Sequence, residues 1–468
     1  MKNFTILSLF LFCLTSLFSR EMGEFVKDVK IKPLEFQVPE IKSLQTDSGV
    51  EIYSLGNSEF PIVYADLYIY HGKKHLGKRP VEIGKLLEDS WELSGTKSYP
   101  NEKFLQDLEY YGATFSVSID YEKTIISWSY LRNEESKVLP ILKSFFLESS
   151  LDESIVATVR GKIAEEIKRR NDSPTGLGSR KAKEALFLGT ILGTSMSLDS
   201  LSKITTNELL EFQSEILSEP KRRLLLTGDF DLSVWKDFFP KLIPKSNSRP
   251  EEVVESRLLS KNVENFKKEI RLVEKDVNQS FVSMFGVLPK HDHPDFYAIQ
   301  ILNYIIGAGG FNSYYMREIR NNRGLAYSAG SNTEFQENYG VLQFYAMTKT
   351  ESVPEVLNLM KELIQTQLIS NLKEDELIRA KNAIQNQFVF QFEDARRTLA
   401  SEVRRKDHNM PVGYLLDFRK NIEAVSLDDL KRVGKTYFKS DSLIVTIVGP
   451  KSLESNLKGQ VKIMNPED

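Results

Sequence analysis

Histidine is the residue type in this chain with an obvious capacity for metal chemistry, and the sequence holds five of them. His71 and His75 are four residues apart, a spacing that would place both imidazoles on one face of a helix. Residues 72–74 between them are typical of a loop, however, and the basic Lys78 and Arg79 follow. The spacing therefore does not predict a metal site.

The remaining histidines also lack a metal-binding pattern. His291 and His293 lie in a loop that leads into a helix, where helix capping and contact with solvent explain them. His408 follows Lys406 and Asp407 and is predicted to lie on the surface. We therefore expect no metal centre built from the histidines of this chain.

The glycine-rich residues 307–310 are a second candidate for chemistry. Phosphate-binding loops follow a strand and precede Lys-Ser or Lys-Thr, whereas this segment follows an apolar helical run, residues 299–306. A loop that ends a helix and needs positive φ angles is the better interpretation. The sequence also contains no G-x-S-x-G nucleophile motif.

Composition places the chain among globular proteins. It has 468 residues, which suits two to four domains, with 41% hydrophobic and 27% charged residues. The formal net charge is only -3, and no basic stripe is interleaved with aromatic residues. The composition therefore gives no indication of nucleic-acid binding.

The first 19 residues have the pattern of a signal peptide. Lys2 precedes an apolar run, residues 6–18, that is too short to span a bilayer comfortably. We expect export to the periplasm or cell envelope. Cys13, the single cysteine, lies in this run; its lipidation is the less favoured alternative, because the apolar run continues beyond it.

An internal repeat indicates two homologous halves. Leu209 and Leu430 are 221 positions apart, as are Gly228 and Gly449. Leu209 and Gly228 belong to a capped helix and the strand that follows it, and Leu430 and Gly449 belong to an equivalent helix and strand. The same offset relates Leu151, Glu153, Val156 and Ile163 to Leu372, Glu374, Leu377 and Ile384, at the start of two long helical stretches.

Each half combines strands and helices in mixed order. Residues 63–70 and 281–285 are predicted early strands, and residues 114–118 and 125–130 alternate like a hairpin. This order predicts an α+β fold, with two homologous α/β sandwich domains that each hold a mostly antiparallel sheet. The predicted domains are residues 40–243 and 263–455, joined by a polar linker at 244–262.

Several segments give the chain a family resemblance. From about Leu44 to Pro450 it resembles the pitrilysin/insulinase-type metallopeptidases, the inverzincins, including proteins like the mitochondrial processing peptidases. The resemblance implies that the two domains form a clam-shell. The segments that carry it are residues 108–114, 168–174, 307–313 and 317–328.

In that family an H-x-x-E-H helix binds zinc, and residues 83–100 resemble this helix but contain no histidine. If Glu88 is the general base, Lys85 and Asp89 occupy the two histidine positions. A lysine is a cation and a single carboxylate cannot hold zinc alone, so this alignment fails.

The alternative alignment is set by residues 95–96 and fails as well. It places Leu86 and Ser90 at the histidine positions and Asp89 at the acid. Glu165 or Glu166 could correspond to the distal carboxylate ligand, but a solvated helix face is the preferred interpretation. We therefore predict no metal and no cofactor on this chain.

The resemblance also implies residues that contact substrate. In this family the second half supplies an arginine and a tyrosine seven residues apart, and Arg320 and Tyr327 have that spacing. A guanidinium can hold a peptide carbonyl, and a phenol can donate to an oxyanion. The glycine-rich loop, with Gly307, Gly309 and Gly310, would lie near the peptide.

These features together predict a non-catalytic, substrate-binding subunit of a heterodimeric zinc metalloendopeptidase. Its partner would be a homologous subunit with an intact H-x-x-E-H motif that carries the zinc, and its substrate an extended peptide, which could add to a sheet edge. The alternative is an inert scaffold or peptide-binding protein of the same fold. Neither nucleic acid nor a transmembrane segment is expected.

Overall fold

The computed structural model describes residues 39–56, 59–240, 251–390, 392–411 and 413–467. The predicted signal peptide, with Cys13, lies outside the described residues, as do residues 244–250 of the predicted linker. Pro39–Asp468 form one compact unit. No helix in the described part of the chain is long and apolar enough to cross a membrane.

The described residues form two six-stranded mixed sheets. The N-terminal sheet contains β1 Lys42–Gln45, β2 Val50–Gly56, β3 Ile62–Ile69, β4 Thr114–Ile119, β5 Thr124–Leu131 and β6 Arg222–Gly228. The C-terminal sheet contains β7 Glu269–Glu274, β8 Gln279–Leu288, β9 Ala326–Phe335, β10 Gly340–Lys349, β11 Ile444–Gly449 and β12 Gln460–Met464.

The two sheets share one topology, which confirms the predicted repeat. Their strand orders are β1-β2-β6-β3-β5-β4 and β12-β7-β11-β8-β10-β9. The edge strands that begin these two orders differ in direction: β1 runs antiparallel to β2, whereas β12 runs parallel to β7. At the opposite edge, β4 and β9 occupy equivalent positions.

Helices surround both sheets. Those of the N-terminal half are α1 Glu82–Ser94, α2 Glu102–Tyr110, α3 Glu135–Glu148, α4 Glu153–Arg169, α5 Pro174–Leu186, α6 Leu198–Lys203, α7 Thr206–Leu217 and α8 Leu232–Lys236. Those of the C-terminal half are α9 Ser256–Phe266, α10 Phe296–Asn303, α11 Val353–Glu362, α12 Thr366–Ser370, α13 Glu374–Val389, α14 Ala395–Asp407, α15 Tyr414–Ala424 and α16 Leu427–Tyr437. Two π-helical segments, Tyr304–Ala308 and Met316–Asn321, follow α10.

The predicted helix starts are confirmed by their caps. The Thr205 hydroxyl accepts a hydrogen bond from the Glu208 amide, and the Glu208 carboxylate accepts one from the Thr205 amide. Ser426 and Asp429 form the same reciprocal pair at α16. Each capping box satisfies amides that the first helical turn leaves without a partner, which explains why the repeated helices begin at equivalent residues.

Each half has its own hydrophobic core between the sheet and the helices of that half. In the N-terminal half, Trp91 of α1 and Trp128 of β5 are fully or almost fully buried in one apolar cluster. In the C-terminal half, Ile299 of α10 and Phe344 of β10 take comparable positions. These cores fix α1 and α10 against their sheets and thereby position both candidate sites.

Two helices cross from one half to the sheet of the other. Helix α5 belongs to the N-terminal half by sequence, yet Leu177 packs with Val273, Phe281 and Val448 of the C-terminal sheet. Gly178 allows this close approach, since a Cβ there would lie 2.5 Å from Phe281 Cδ1. We call α5 and α14 the exchanged helices.

Helix α14 makes the reciprocal contact. Its Leu399 and Val403 pack against Tyr53 and Leu225 of the N-terminal sheet. The two helices begin 221 residues apart, at Pro174 and Ala395, and so follow the offset of the repeat. This exchange explains why the two halves form one compact unit.

The predicted domain boundaries stay predictions. Helix α9 begins at Ser256, inside the segment predicted as a linker, and β12 lies beyond residue 455. Because α5 and α14 each pack on the opposite sheet, a boundary drawn along the sequence does not separate the packing units.

Candidate functional site

Helix α1 carries the residues that correspond to the zinc motif of the resembled family. Lys85 Nζ lies 3.0 Å from Glu88 Oε1 and 2.7 Å from Asp89 Oδ1. Burial opposes the charge of this ammonium, but the hydrogen bonds that it donates to Asp89 and Glu88 outweigh burial and raise the pKa of Lys85. A single lysine cation is therefore shared between the two carboxylates.

The residues of α1 do not fit a zinc ion. In one alignment Lys85 would have to be a ligand, and its ammonium is already paired with carboxylates. In the other, Leu86 and Ser90 are completely buried in the apolar face of the helix. The described residues contain no group of three or more His, Cys, Asp or Glu that could hold a metal.

Two glutamates of α1 instead bind the edge strand β4. Glu88 Oε2 accepts a hydrogen bond from the Ile119 amide at 2.7 Å, and Glu92 Oε2 accepts one from the Val117 amide at 3.1 Å. The geometry matches because four residues of helix rise about 6 Å and two residues of strand about 6.8 Å. Burial raises the pKa of Glu92.

This capping changes the expectation that an extended peptide adds to a sheet edge. The amides of Val117 and Ile119 are the groups that an added strand would use at β4. They are occupied by carboxylates of the same chain. The β4 edge is therefore closed at these two positions.

The predicted distal carboxylates lie away from any such site. Glu165 and Glu166 are both exposed on α4, and Glu165 pairs with Lys168 at 2.6 Å. This agrees with the preferred interpretation of a solvated helix face.

Arg320 and Tyr327 are brought together by the structure. Arg320 lies in the second π-helical segment and Tyr327 is the second residue of β9. The Arg320 Cζ atom lies 5.4 Å from the Tyr327 ring centroid and 5.2 Å from that of Phe311. Tyr327 is 75% exposed and Phe311 65% exposed. The guanidinium thus contacts two solvent-exposed rings.

Phe311 is the member of this group that was not predicted from the sequence. It directly follows the glycine-rich residues 307–310 and lies in a segment that resembles the family. This position was the sequence signal that could have identified Phe311. The neighbouring Arg317 and Arg323 both pair with Glu318, at 3.2 and 2.8 Å. Arg320 forms no ion pair with any of the described residues, so its charge is available to a ligand.

The glycines of the loop serve packing more than was predicted. A Cβ at Gly307 would lie 2.3 Å from Ser331 Oγ, and one at Gly309 would lie 2.6 Å from the Tyr304 carbonyl oxygen. Only Gly310 of the three has a positive φ, 59°. The prediction of a loop needing positive φ is therefore correct at Gly310, whereas the other two allow close backbone approach.

A cavity of about 910 Å³ lies nearby. It is bordered by the β4–β5 turn, the end of β9 and the helices α10, α13 and α14. Its lining residues include Lys123, Arg404, Asp407, His408, Tyr304 and Tyr414. Arg320 and Tyr327 are not among the described residues that line it.

His71 and His75 are buried and stacked, with ring centroids 4.2 Å apart. The Gly72 amide donates to His75 Nδ1 at 3.1 Å. Burial, with the nearby His71 and Lys74, lowers the pKa of His75 to about 4. His71 lies 3.7 Å from Glu215 and 3.6 Å from Glu219. These contacts assign the pair a structural role.

Two of the other histidines are less exposed than predicted. His291 is buried, and its ring nitrogens lie 3.0 Å from the Gln336 carbonyl oxygen and 3.1 Å from that of His408. His408 is half-buried beside it, and burial lowers its pKa to about 4. The surface prediction for His408 is wrong because α14 packs across the other half. His293 accepts from the Asp295 amide, as the capping interpretation expected.

The sequence matches two family descriptions. Residues 87–197 match "Insulinase (Peptidase family M16)", and residues 203–384 match "Peptidase M16 inactive domain". Together the two matched ranges account for more than half of the chain.

Individual relatives agree with this match. A Rickettsia felis protein named "Uncharacterized zinc protease" is 25% identical over 376 residues, which cover 77% of this chain and 85% of that protein. A Helicobacter pylori protein named "Non-peptidase homolog YmxG" is 23% identical over 410 residues, which cover 84% of this chain and 90% of that one.

Solved structures share the fold. A "peptidase M16 inactive domain" from Pseudomonas fluorescens superposes with a TM-score of 0.75 at 18% identity, covering 88% of this chain and 98% of that one. A Helicobacter pylori protein described as a protease gives a TM-score of 0.74 at 18% identity, covering 88% and 100%. The chain belongs to the insulinase (M16) peptidase family, and its helix α1 does not supply zinc ligands.

Proposed function

We propose that this chain is the substrate-binding subunit of a heterodimeric zinc metalloendopeptidase that acts on peptides in the cell envelope. It lines the peptide chamber and completes the active site of its partner in trans. The partner is a homologous subunit with an intact H-x-x-E-H motif, and it carries the zinc.

The observation that carries the proposal is the exposed group of Phe311, Arg320 and Tyr327. The Arg320 guanidinium lies between two exposed rings and has a planar set of N–H donors that can hold a peptide carbonyl. The exposed Tyr327 hydroxyl can donate to an oxyanion that forms at a neighbouring zinc site. An oxyanion donor contributes to hydrolysis only beside an activated water, and α1 supplies no zinc ligands to activate one.

The envelope location rests on the apolar residues 6–18 at the N-terminus. Mass spectrometry of the protein isolated from its native host measures the mature N-terminus. A mature chain that begins near residue 20 in the periplasmic or membrane fraction supports export, and a full-length chain in the cytosol contradicts it.

The test of the function uses co-expression with an H-x-x-E-H homologue from the same genome. We expect peptidase turnover from the complex, and Arg320→Ala or Tyr327→Phe to lower kcat by about 10²-fold while the subunits still assemble, since each change removes one transition-state donor. Arg379→Ala is the matched control, because Arg379 is 67% exposed on α13 and pairs only along its own helix. Unchanged turnover in both site variants would contradict site completion.

A second candidate function is that of an inert scaffold or peptide-binding protein of the same fold. The capping of β4 by Glu88 and Glu92 favours the inert scaffold, since this edge is closed at two amides that an added peptide strand would use. In the same experiment a scaffold tolerates Arg320→Ala and Tyr327→Phe but is required for assembly. The two functions therefore differ in turnover and agree in complex formation.

A further inference from the structure

Basic side chains gather where α14 packs on the N-terminal sheet. Three of them lie on strands or the turns beside them, and three lie on α14 itself. We call this surface the cationic face. Its members are Lys123, Lys221, Arg223, Arg396, Arg404 and Lys406.

Three carboxylates on this face neutralise the cations only in part. Asp407 pairs with Arg223 and, at 4.0 Å, with Lys221. Asp66 pairs with Arg396 at 2.5 Å. The third carboxylate, Glu51, lies 2.9 Å from Arg223 and 3.6 Å from Lys406. Two of the three carboxylates are therefore shared between two cations.

Two of the carboxylates, Asp66 and Asp407, lie deeper than Arg396 and Lys221, with which they pair, whereas Glu51 is 31% exposed beside an Arg223 that is 14% exposed. The side chains of Asp66 and Asp407 are only 9% and 11% exposed, whereas those of Lys221 and Arg396 are 53% and 42% exposed. At Lys221 and Arg396 the charge that reaches solvent is therefore positive. A ligand that approaches this face meets ammonium and guanidinium groups before it meets their counter-ions.

Tyrosine rings hold several of these cations. Lys123 Nζ lies 4.4 Å from the Tyr68 ring centroid, and Lys221 Nζ lies 4.1 Å from that of Tyr70. Such contacts stabilise an ammonium group without neutralising its charge. Burial lowers the pKa of Lys123, as expected for an ammonium that an anion has not yet compensated.

Lys123 and Arg404 connect this face to the cavity of about 910 Å³, which both residues line. Neither has an ion pair among those described for the structure. Asp120 and Glu122 flank Lys123 in the β4–β5 turn and reduce the surplus, while Glu402 is held by Arg405 at 2.7 Å. Asp394 at the start of α14 also acts on Arg396, so six carboxylates lie near the six cations. The positive character of the face therefore rests on Lys123 and Arg404, which have no ion pair among the described residues, and on the exposed Lys221.

We propose that the cationic face binds acidic segments of extended peptides, so that the chamber selects substrates rich in aspartate and glutamate. This proposal rests on the proposed function and adds the substrate class. Charge complementarity carries it: a carboxylate can displace water at Lys123, Lys221 and Arg404 without breaking an existing buried pair. The aromatic residues of the cavity lining can contact the uncharged residues of the same peptide.

The test measures binding of fluorescein-labelled peptides by fluorescence anisotropy with the full chain. One peptide is rich in Glu and Ser, and its matched control replaces each Glu by Lys. We expect the acidic peptide to bind at least about tenfold more tightly, and added NaCl to weaken its binding.

Two variants assign the effect to this face. Arg404→Glu and Lys221→Glu should each weaken binding of the acidic peptide by about tenfold, because both side chains are exposed and each change reverses a charge. Arg404→Gln should give a smaller loss and guards against misfolding. Lys162→Glu is the control, since Lys162 is exposed on α4, away from this face.

The outcomes separate this proposal from the function on which it rests. Equal affinity for the two peptides, or no effect of Arg404→Glu, overturns the acidic preference even if the partner complex cleaves peptides. Tighter binding of a single-stranded oligonucleotide than of the acidic peptide overturns it as well. If neither peptide binds and the partner complex lacks activity, both proposals fail.

Discussion

The exchanged helices occupy equivalent places in the two halves, yet different chemistry holds them. Helix α5 meets the C-terminal sheet through apolar contacts, in which Leu177 and Gly178 lie against Phe281 and Val448. Helix α14 meets the N-terminal sheet through a smaller apolar cluster surrounded by ion pairs, such as that of Arg396 with Asp66.

The charges along the two helices are also reversed. On α5, the fully buried Lys181 ammonium lies 3.0 Å from Glu184. On α14, Glu402 and Arg405 take the equivalent positions and lie 2.7 Å apart, with acid and base exchanged. The repeat therefore preserved a paired helix surface while its charge pattern diverged.

The two halves are therefore joined by two kinds of contact, an apolar one at α5 and a largely ionic one at α14. Apolar burial is short-ranged and nearly independent of salt, whereas partly exposed ion pairs weaken as ionic strength rises. The α5 contact should therefore act as the permanent connection. The α14 contact leaves part of the N-terminal sheet polar, and the cationic face lies there.

The largest expected effect comes from the apolar side of this comparison. Leu177→Ala removes a completely buried side chain at the α5 contact and should lower the free energy of unfolding by about 3 kcal/mol. Urea denaturation measures the change, which should be the same at low and high NaCl. Leu188→Ala is the control, because Leu188 is 50% exposed, and equal losses in both variants would contradict the apolar assignment.

A smaller effect is expected on the ionic side. Asp407→Asn removes the negative charge that pairs with Arg223 and weakens the hydrogen bond that the Tyr70 hydroxyl donates to Asp407 at 2.6 Å. The change should lower the free energy of unfolding by about 2 kcal/mol. The loss should shrink as NaCl is raised, since salt screens part of the interaction. Asp375→Asn at an exposed pair is the control. A salt-independent loss as large as that of Leu177→Ala would remove the distinction between the contacts.

The stability of the two contacts should also differ in its dependence on pH, because a phenylalanine, Phe187, follows α5 and a histidine, His408, follows α14. Burial, with His291, Arg404 and Lys123, lowers the pKa of His408 from 6.5 to about 4. Between these values the unfolded chain binds more protons, so stability should be full above about pH 6.5 and decline as the pH falls towards 4.

His408→Gln tests this prediction, since it removes the titrating group and should reduce the slope of stability against pH in that window. Urea denaturation at a series of pH values measures the slope. His75 also has a pKa lowered to about 4, so the slope should fall further when His75→Gln is added to His408→Gln. Carboxylates with a lowered pKa, such as Glu184 and Glu219, account for the slope that persists near pH 4. An unchanged slope in the double variant would contradict the assignment.

Much of the fold was predictable because it is written in local patterns. The offset of 221 that relates Leu209 to Leu430 and Gly228 to Gly449 predicted the repeat, and β6 and β11 confirm it. The exchange of α5 and α14 was not predicted. Helical periodicity identifies an apolar face, but it does not say which sheet covers that face.

The Arg320–Tyr327 pair and the cationic face also differ in how far the sequence predicts them. Arg320 and Tyr327 are seven residues apart and could be paired from the sequence through the family resemblance, although their role in binding stays a prediction. The cationic face joins residues such as Lys123 and Arg404 that are distant in sequence, and only the packing of α14 brings them together. The closed β4 edge was not predicted, because Glu88 was interpreted only as a possible general base and no sequence pattern indicates that Glu92 contacts β4.

The central claim is that this chain contributes binding groups and no zinc to a peptidase. Its most direct test is the zinc content of the purified chain, measured by inductively coupled plasma mass spectrometry beside a peptidase assay with and without a chelator. We predict no stoichiometric zinc and no cleavage by the chain alone. One tightly bound zinc per chain, with peptidase activity that the chelator abolishes, would contradict the claim.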